Sequence, residues 1–181
     1  MTQLRTALEP IHHLPESDQL WSDYRPRLVV FARTFGGAVA DCPEDTAHDI
    51  IARAIERIHL FDRNHAFSTW IYRLARNYCI DANRRRRRRS EILRQNATAL
   101  VEPSTGRGPE ETLERKESLA AIGRAIGRLS PGDQQIAFLR FYEELPVADV
   151  GEVMSKPVGT VKYRLHVILG RLRSEMEEAG S

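Results

Sequence analysis

The sequence predicts an all-α chain: two small helical domains joined by a flexible linker, the second of them a helix-turn-helix. Three observations carry this. Apolar residues recur at three- and four-residue spacing in segment after segment, and none alternates convincingly at period two. Residues 95–112 interrupt that pattern with Pro103, Ser104, Thr105, Gly106, Gly108 and Pro109, a turn-rich linker composition. Near the C-terminus come a short helical stretch, the turn Ser155-Lys-Pro157 and a long amphipathic segment, in helix-turn-helix order. The expected organisation is an N-terminal extension over 1–16, a helical domain over 17–94, the linker over 95–112 and a second domain over 113–181.

The elements follow in order. Pro10 and Pro15 interrupt residues 1–16, which show no clear period. Ser17 suits an N-cap, and Trp21, Tyr24, Leu28, Phe31 and Phe35 then recur at helical spacing until Gly36-Gly37. Pro26 lies inside that run and should disturb it. Pro43 suits the first position of a helix over about 43–60. Ala47, Ile50, Ile51, Ala54, Ile55 and Ile58 form its apolar stripe, with Asp45, Asp49, Ala52, Arg53 and Glu56 opposite. The polar loop Asp62-Arg-Asn-His65 precedes a helix over about 67–90, whose buried stripe should be Phe67, Ile71, Leu74, Ala75, Tyr78 and Ala82. Beyond the linker, Leu113, Leu119, Ile122, Ile126 and Leu129 mark one helix. Ser130-Pro-Gly-Asp133 resembles a capping box opening the next, which holds Ile136, Leu139 and Tyr142. Residues 146–154 form a short helix and 158 to about 176 the last.

Composition narrows the function. The formal charge is only +2, yet nine arginines lie between Arg73 and Arg94 against Asp81 and Glu91. Such local asymmetry suits phosphates. Cys42 and Cys79 have neither disulfide nor metal-ligand spacing, so reduced thiols and no metal or other cofactor are expected. No apolar run reaches the ~20 residues of a membrane span, and no signal-peptide pattern opens the chain. A soluble cytoplasmic protein is expected, without membrane insertion. No nucleophile–base pair or phosphate-cradling glycine loop suggests catalysis.

Two segments carry the chemistry. On the 67–90 helix Trp70, Arg73, Asn77, Asp81 and Arg84 fall within roughly 80° of one another. Tryptophan beside arginine and asparagine suits unpaired DNA: the ring stacks, the guanidinium holds phosphate and the amide reads a base edge. The bland alternative makes Trp70 simply a core residue. In the last helix Val158, Val161, Leu165, Ile168, Leu169 and Leu172 share one face. Thr160, Tyr163, His166 and Val167 point away from it, with Lys162 and Arg164 on the borders. Those residues could meet phosphates and base edges in a major groove. Gly151 stands where a helix-turn-helix needs a small residue. The bland alternative is an ordinary helical hairpin.

Phe67-Ser-Thr-Trp-Ile-Tyr-Arg-Leu-Ala-Arg-Asn77 with Ile80-Asp81, Asp45-Thr-Ala-His-Asp49 and Val158-Gly-Thr-Val-Lys-Tyr-Arg-Leu165 together resemble regions 2.3–2.4, 2.2 and 4.2 of bacterial sigma-70 factors. The nearest likeness is to the small two-domain extracytoplasmic-function group, over about 18–90 and 113–176. The resemblance implies a non-catalytic transcription initiation factor that directs core RNA polymerase to −35 and −10 promoter elements and assists melting. It implies contact with the β and β′ subunits through Asp45, His48, Asp49, Arg53 and Glu56. It places −10 recognition and melting on Asn64, Phe67, Ser68, Trp70, Arg73, Arg76, Asn77, Arg84 and Arg85. It places −35 recognition on Thr160, Lys162, Tyr163, Arg164, His166 and Val167, and suggests a cognate anti-sigma factor. His48, Ile51, Tyr163 and Val167 depart from the family pattern of glutamine, phenylalanine, serine and a basic residue. The rival reading is an autonomous regulator with a C-terminal helix-turn-helix, which leaves Phe67–Arg89 unexplained. A nucleic-acid-modifying enzyme is a third, without a catalytic constellation to support it.

Overall fold

The computed structural model describes residues 17–94 and 123–179, and every element among them is helical. α1 (Ser17–Gln19), a π-type turn (Leu20–Tyr24) and α2 (Arg25–Arg33) follow one another without a break. The disturbance expected from Pro26 falls just before it. A proline in the first turn of α2 offers no N–H to the preceding turn, and that turn takes the wider π pattern. Leu20, Tyr24, Leu28 and Phe31 are buried along this run. Gly36 and Gly37 end it, both at φ +62°, a conformation L side chains rarely adopt. Asn83 Nδ2 donates to the Gly36 carbonyl at 3.0 Å and ties the turn to the longest helix.

After the short α3 (Ala38–Asp41) comes α4 (Pro43–Arg57), with Pro43 at its start as expected. Its buried face is Ala47, Ile50, Ile51 and Ala54, and it packs chiefly on α2. Ile55, assigned to that stripe from the sequence, is 37% exposed, and Ile58 lies in the 3₁₀ turn Ile58–Leu60 that follows. α5 (Phe67–Arg94) is the backbone of this half. Phe67, Ile71 and Ala75 are fully buried, while Leu74, Tyr78 and Ala82 are only partly so. Tyr72 and Cys79, outside the expected stripe, are also fully buried. Burial pushes the Cys79 thiol up to about 12, which leaves it without thiolate reactivity.

In the second half, residues 123–127 form α6. Leu113, Leu119 and Ile122, expected on the same helix, lie outside the described residues. α7 (Pro131–Ala137) continues through a π-type turn (Phe138–Tyr142), and α8 (Val147–Met154) and α9 (Val158–Ala179) complete the helix-turn-helix. Ser130 caps α7: its Oγ accepts the Asp133 N–H at 3.3 Å and its hydroxyl donates to Asp133 Oδ2 at 2.8 Å. The predicted capping box is therefore present in altered form, the acid taking the hydroxyl. Gly151 on α8 is required by contact. A Cβ there would sit 2.8 Å from the Lys156 carbonyl oxygen, too close for any side chain.

The two halves share one seam. Phe138 packs against Phe31 and Tyr72 at 5.4 and 5.8 Å between ring centroids, contacts worth about 0.5–1.5 kcal/mol each beyond their burial. This explains Tyr72: its side of α5 faces the second half. Thr69 Oγ1 donates to Asp149 Oδ2 at 2.8 Å, and Arg73 Nη1 to Glu152 Oε1 at 2.7 Å. Glu143, its side chain 2% exposed, pairs with Arg27 at 3.3 Å.

Candidate nucleic-acid interface

α5 presents Trp70, Arg73, Asn77, Asp81 and Arg84 along one side. Trp70 is half-buried and the other four are exposed. The indole rests on Phe61 and Phe67, with centroids 5.6 and 5.4 Å away. Phe67 in turn meets Tyr24 at 5.4 Å. This aromatic cluster holds the Trp70 ring at the surface in a fixed pose, so the ring both packs and remains partly open. Phe67 itself, expected among the DNA-contacting residues, is fully buried and serves as the bed for Trp70. Arg76 lies half-buried on another side of the helix, with its Nε unpartnered among the described residues, and desolvation lowers its pKa.

The loop before α5 is prefolded. Asp62 Oδ1 accepts from the Asn64 N–H at 3.0 Å and from Asn64 Nδ2 at 2.9 Å, an Asx turn. Those bonds, the backbone one foremost, hold the Asp62 carboxyl below its usual range. Asn64 is thus positioned but internally engaged, and Ser68 is half-buried in the first turn of α5. At the far end of α5, Arg84 to Arg89 are all exposed. Arg86 pairs with Asp41 at 2.9 Å, and Arg85 lies 6.0 Å from the Tyr78 ring centroid.

A second surface lies on α4. Asp45, His48, Asp49 and Glu56 are exposed and Arg53 is half-buried. The face extends beyond the sequence-based set. The His48 ring packs at a tilt against Trp21, centroids 4.8 Å apart, Tyr78 donates its hydroxyl to Asp49 Oδ2 at 2.5 Å, and Arg53 covers the Tyr78 ring at 4.8 Å. Burial, then the Asp49 bond, pushes the Tyr78 hydroxyl up to about 12. Their helical spacing in the sequence marks Trp21 and Tyr78 only as core residues. Their apolar spacing hid the polar tip of one and the open ring edge of the other.

On α9, Val161, Leu165 and Ile168 are buried against the rest of the second half. Thr160, Lys162, Tyr163 and His166 are exposed, Tyr163 at 64%, and Val167 is half-buried. Arg164 differs from its expected place at the groove. Its Nε donates to Asp133 Oδ1 at 2.7 Å and its Nη2 to Asp133 Oδ2 at 2.5 Å. Asp133 is nearly inaccessible, so this bidentate pair staples α9 to the start of α7. Val158 and Leu169, counted on the apolar face, are 42% and 39% exposed.

Comparison with known proteins decides the family. The sigma-70 region 2 family matches residues 20–89, and the sigma-70 region 4 family matches residues 119–172. The ECF RNA polymerase sigma factor SigW of Bacillus subtilis is 30% identical over 141 residues, covering 75% of each chain. The chain belongs to the ECF sigma factors of the sigma-70 family. It is a promoter-recognising transcription initiation factor, a specificity subunit of RNA polymerase. The ECF sigma factor RpoE of Cereibacter sphaeroides is 29% identical over 159 residues, 87% of this sigma factor and 84% of that one. Solved structures share the fold. RpoE of Bartonella quintana in complex with the anti-sigma factor NepR superposes with a TM-score of 0.65 at 19% identity, over 88% of this chain and 96% of that one. CnrH in complex with the cytosolic domain of CnrY gives 0.58 at 20% identity, over 90% and 88%. Among the described residues of this sigma factor, no helix is long and apolar enough to cross a membrane, and no cluster of His, Cys, Asp and Glu could hold a metal.

Proposed function

We propose that this sigma factor divides its work among the three surfaces described. The α4 face, Asp45, His48, Asp49, Arg53 and Glu56 with Tyr78 and Trp21 beside them, docks on the β′ clamp of core polymerase. The α5 stripe captures a base flipped from the non-template strand at the −10 element and assists melting. The exposed side of α9, led by Lys162, Tyr163 and His166, reads the −35 duplex. The working units are 17–94 and 113–181, joined by a linker over 95–112 and preceded by an extension over 1–16. The chain supplies no chemistry of its own and works beside polymerase in the cytoplasm. A cognate anti-sigma factor is expected, since two structural neighbours are held in such complexes or with a comparable cytosolic domain.

One observation supports this reading most. Trp70 is fixed on a bed of buried aromatics, with exposed arginine and amide groups one and two turns along the same rigid helix. Stacking on an aromatic ring contributes ~1–3 kcal/mol per base and needs no specific sequence. The test is promoter opening by reconstituted holoenzyme with Trp70→Ala or Asn77→Ala. Both variants should form the closed complex yet open the promoter slowly, and a pre-melted bubble template should restore most activity. Absence of rescue by the bubble, with the fold intact by circular dichroism, defeats the assignment.

A further inference from the structure

Asp49 and Arg53 stand four residues apart on α4, the acid on the N-terminal side. On a helix surface that is the favoured spacing and order for an ion pair. Among the described residues no ion pair joins them. Tyr78, reaching across from α5, engages both. Its hydroxyl donates to Asp49 Oδ2 at 2.5 Å, and the Arg53 guanidinium lies over its ring, 4.8 Å from the centroid. One is a hydrogen bond to a charged acceptor, the other a cation over the face of an aromatic ring.

Tyr78 is itself held in place. It is half-buried, and Ala75 and Cys79 beside it on α5 are fully buried. Arg85, two turns further along, lies 6.0 Å from the same ring, at the limit of such a contact. Burial and then the Asp49 bond push the hydroxyl up to about 12, so it stays protonated and remains a donor at neutral pH. The bond uses one oxygen of Asp49, and the exposed carboxylate keeps Oδ1 for a partner.

We propose that Tyr78 is a positioning residue of the α4 face, which keeps Asp49 and Arg53 from neutralising each other and holds both charges ready for complementary groups on core polymerase. This rests on the reading of α4 as the core-docking surface. Without the hydroxyl, the Asp49 carboxylate is released and swings toward Arg53. Docking then has to part the two charges and order them again, and ordering side chains on binding lowers affinity. The partner chemistry follows from the pair: a base opposite Asp49 and an acid opposite Arg53, an arrangement that also fixes register at a charged interface.

The experiment uses the full chain and core polymerase without DNA, so that −10 recognition does not enter. Binding of the fluorescently labelled sigma factor to core is followed by anisotropy for wild type, Tyr78→Phe, Asp49→Ala and the double variant. Phenylalanine keeps the ring under Arg53 and removes only the hydroxyl. Tyr78→Phe should weaken binding about fivefold, the scale of ordering one or two side chains. Asp49→Ala should weaken it about tenfold or more. In the Asp49→Ala background Tyr78→Phe should change nothing further, because the hydroxyl acts through that carboxylate. An equal loss in both backgrounds means that the hydroxyl supports the fold rather than the docking charge, and overturns the proposal. Wild-type or tighter binding by Tyr78→Phe, with Asp49→Ala weakened, also overturns it and leaves the reading of α4 standing. Wild-type binding by Asp49→Ala removes the reading of α4, and the role of Tyr78 with it.

Discussion

At the residue scale, two side-chain positions fix the geometry of the helix-turn-helix. Gly151 leaves no room for a methyl group, because the Lys156 carbonyl lies where a Cβ would place it under 3 Å. Gly151→Ala must push the turn away from α8 and should cost about 1–3 kcal/mol, as overpacking usually does. Urea unfolding followed by circular dichroism measures it, and an unchanged midpoint would mean the turn yields freely. Arg164 is the second position. Removing it strands the Asp133 carboxylate, which is almost fully buried. The guanidinium is 37% exposed, so the loss is smaller than for a fully buried pair, about 2 kcal/mol. Arg164→Ala should therefore lower stability, whereas Lys162→Ala should leave stability alone and lower the salt dependence of −35 binding. The opposite pattern would return Arg164 to the groove.

At the element scale, α9 is where reading and scaffold separate most cleanly. Its exposed row Thr160, Lys162, Tyr163 and His166 is free of the packing that holds Val161, Leu165 and Ile168. Tyr163→Ser should change which −35 sequences are selected from a randomised promoter library, a base-edge effect of ~1–3 kcal/mol, with little change in folding. Identical selected sequences for both proteins would take Tyr163 off the reading surface. The helical rows themselves were legible from apolar spacing: the starts at Pro43 and Pro131, the glycine stop at 36–37 and the cap at Ser130 all appear in the structure. What spacing could not reveal is anything set by a remote partner. Tyr72 is buried because Phe138 covers it, and Arg164 is drawn inward because Asp133, a turn-capping acid, is buried beneath it. Phe67 shows the converse, a motif residue whose part is to support its neighbour Trp70. Period and motif describe one helix at a time, while these roles arise between helices.

At the scale of the whole molecule, the seam makes closure sensitive to pH through Glu143. Its carboxylate is carried by the second half into the first, where Tyr24, Arg27 and Tyr72 surround it. Burial raises its pKa above the ordinary 4.5, and the facing Tyr72 hydroxyl and then Arg27 offset this only in part. Its buried Oε1 and the Tyr72 hydroxyl make no hydrogen bond of good geometry, so the ionised form is incompletely compensated there. The folded chain therefore binds the Glu143 proton more tightly than the unfolded chain does. Stability from this group is fully present below about 4.5 and is lost as pH rises through the raised folded value. The neighbouring Tyr24 hydroxyl, pushed up to about 12 by burial and by Glu143, stays neutral throughout and adds no slope of its own. Asp62 and Glu175 have lowered values and give slopes of the opposite sign, so the measurement has to be a difference. Urea unfolding of wild type and Glu143→Gln across pH 4.5 to about 7 supplies it. Wild type should lose stability relative to the glutamine variant as pH rises, by at most about 1.4 kcal/mol per unit within the window between the two pKa values. Parallel curves would show that Glu143 is hydrated in solution, and hence that the two halves stand apart.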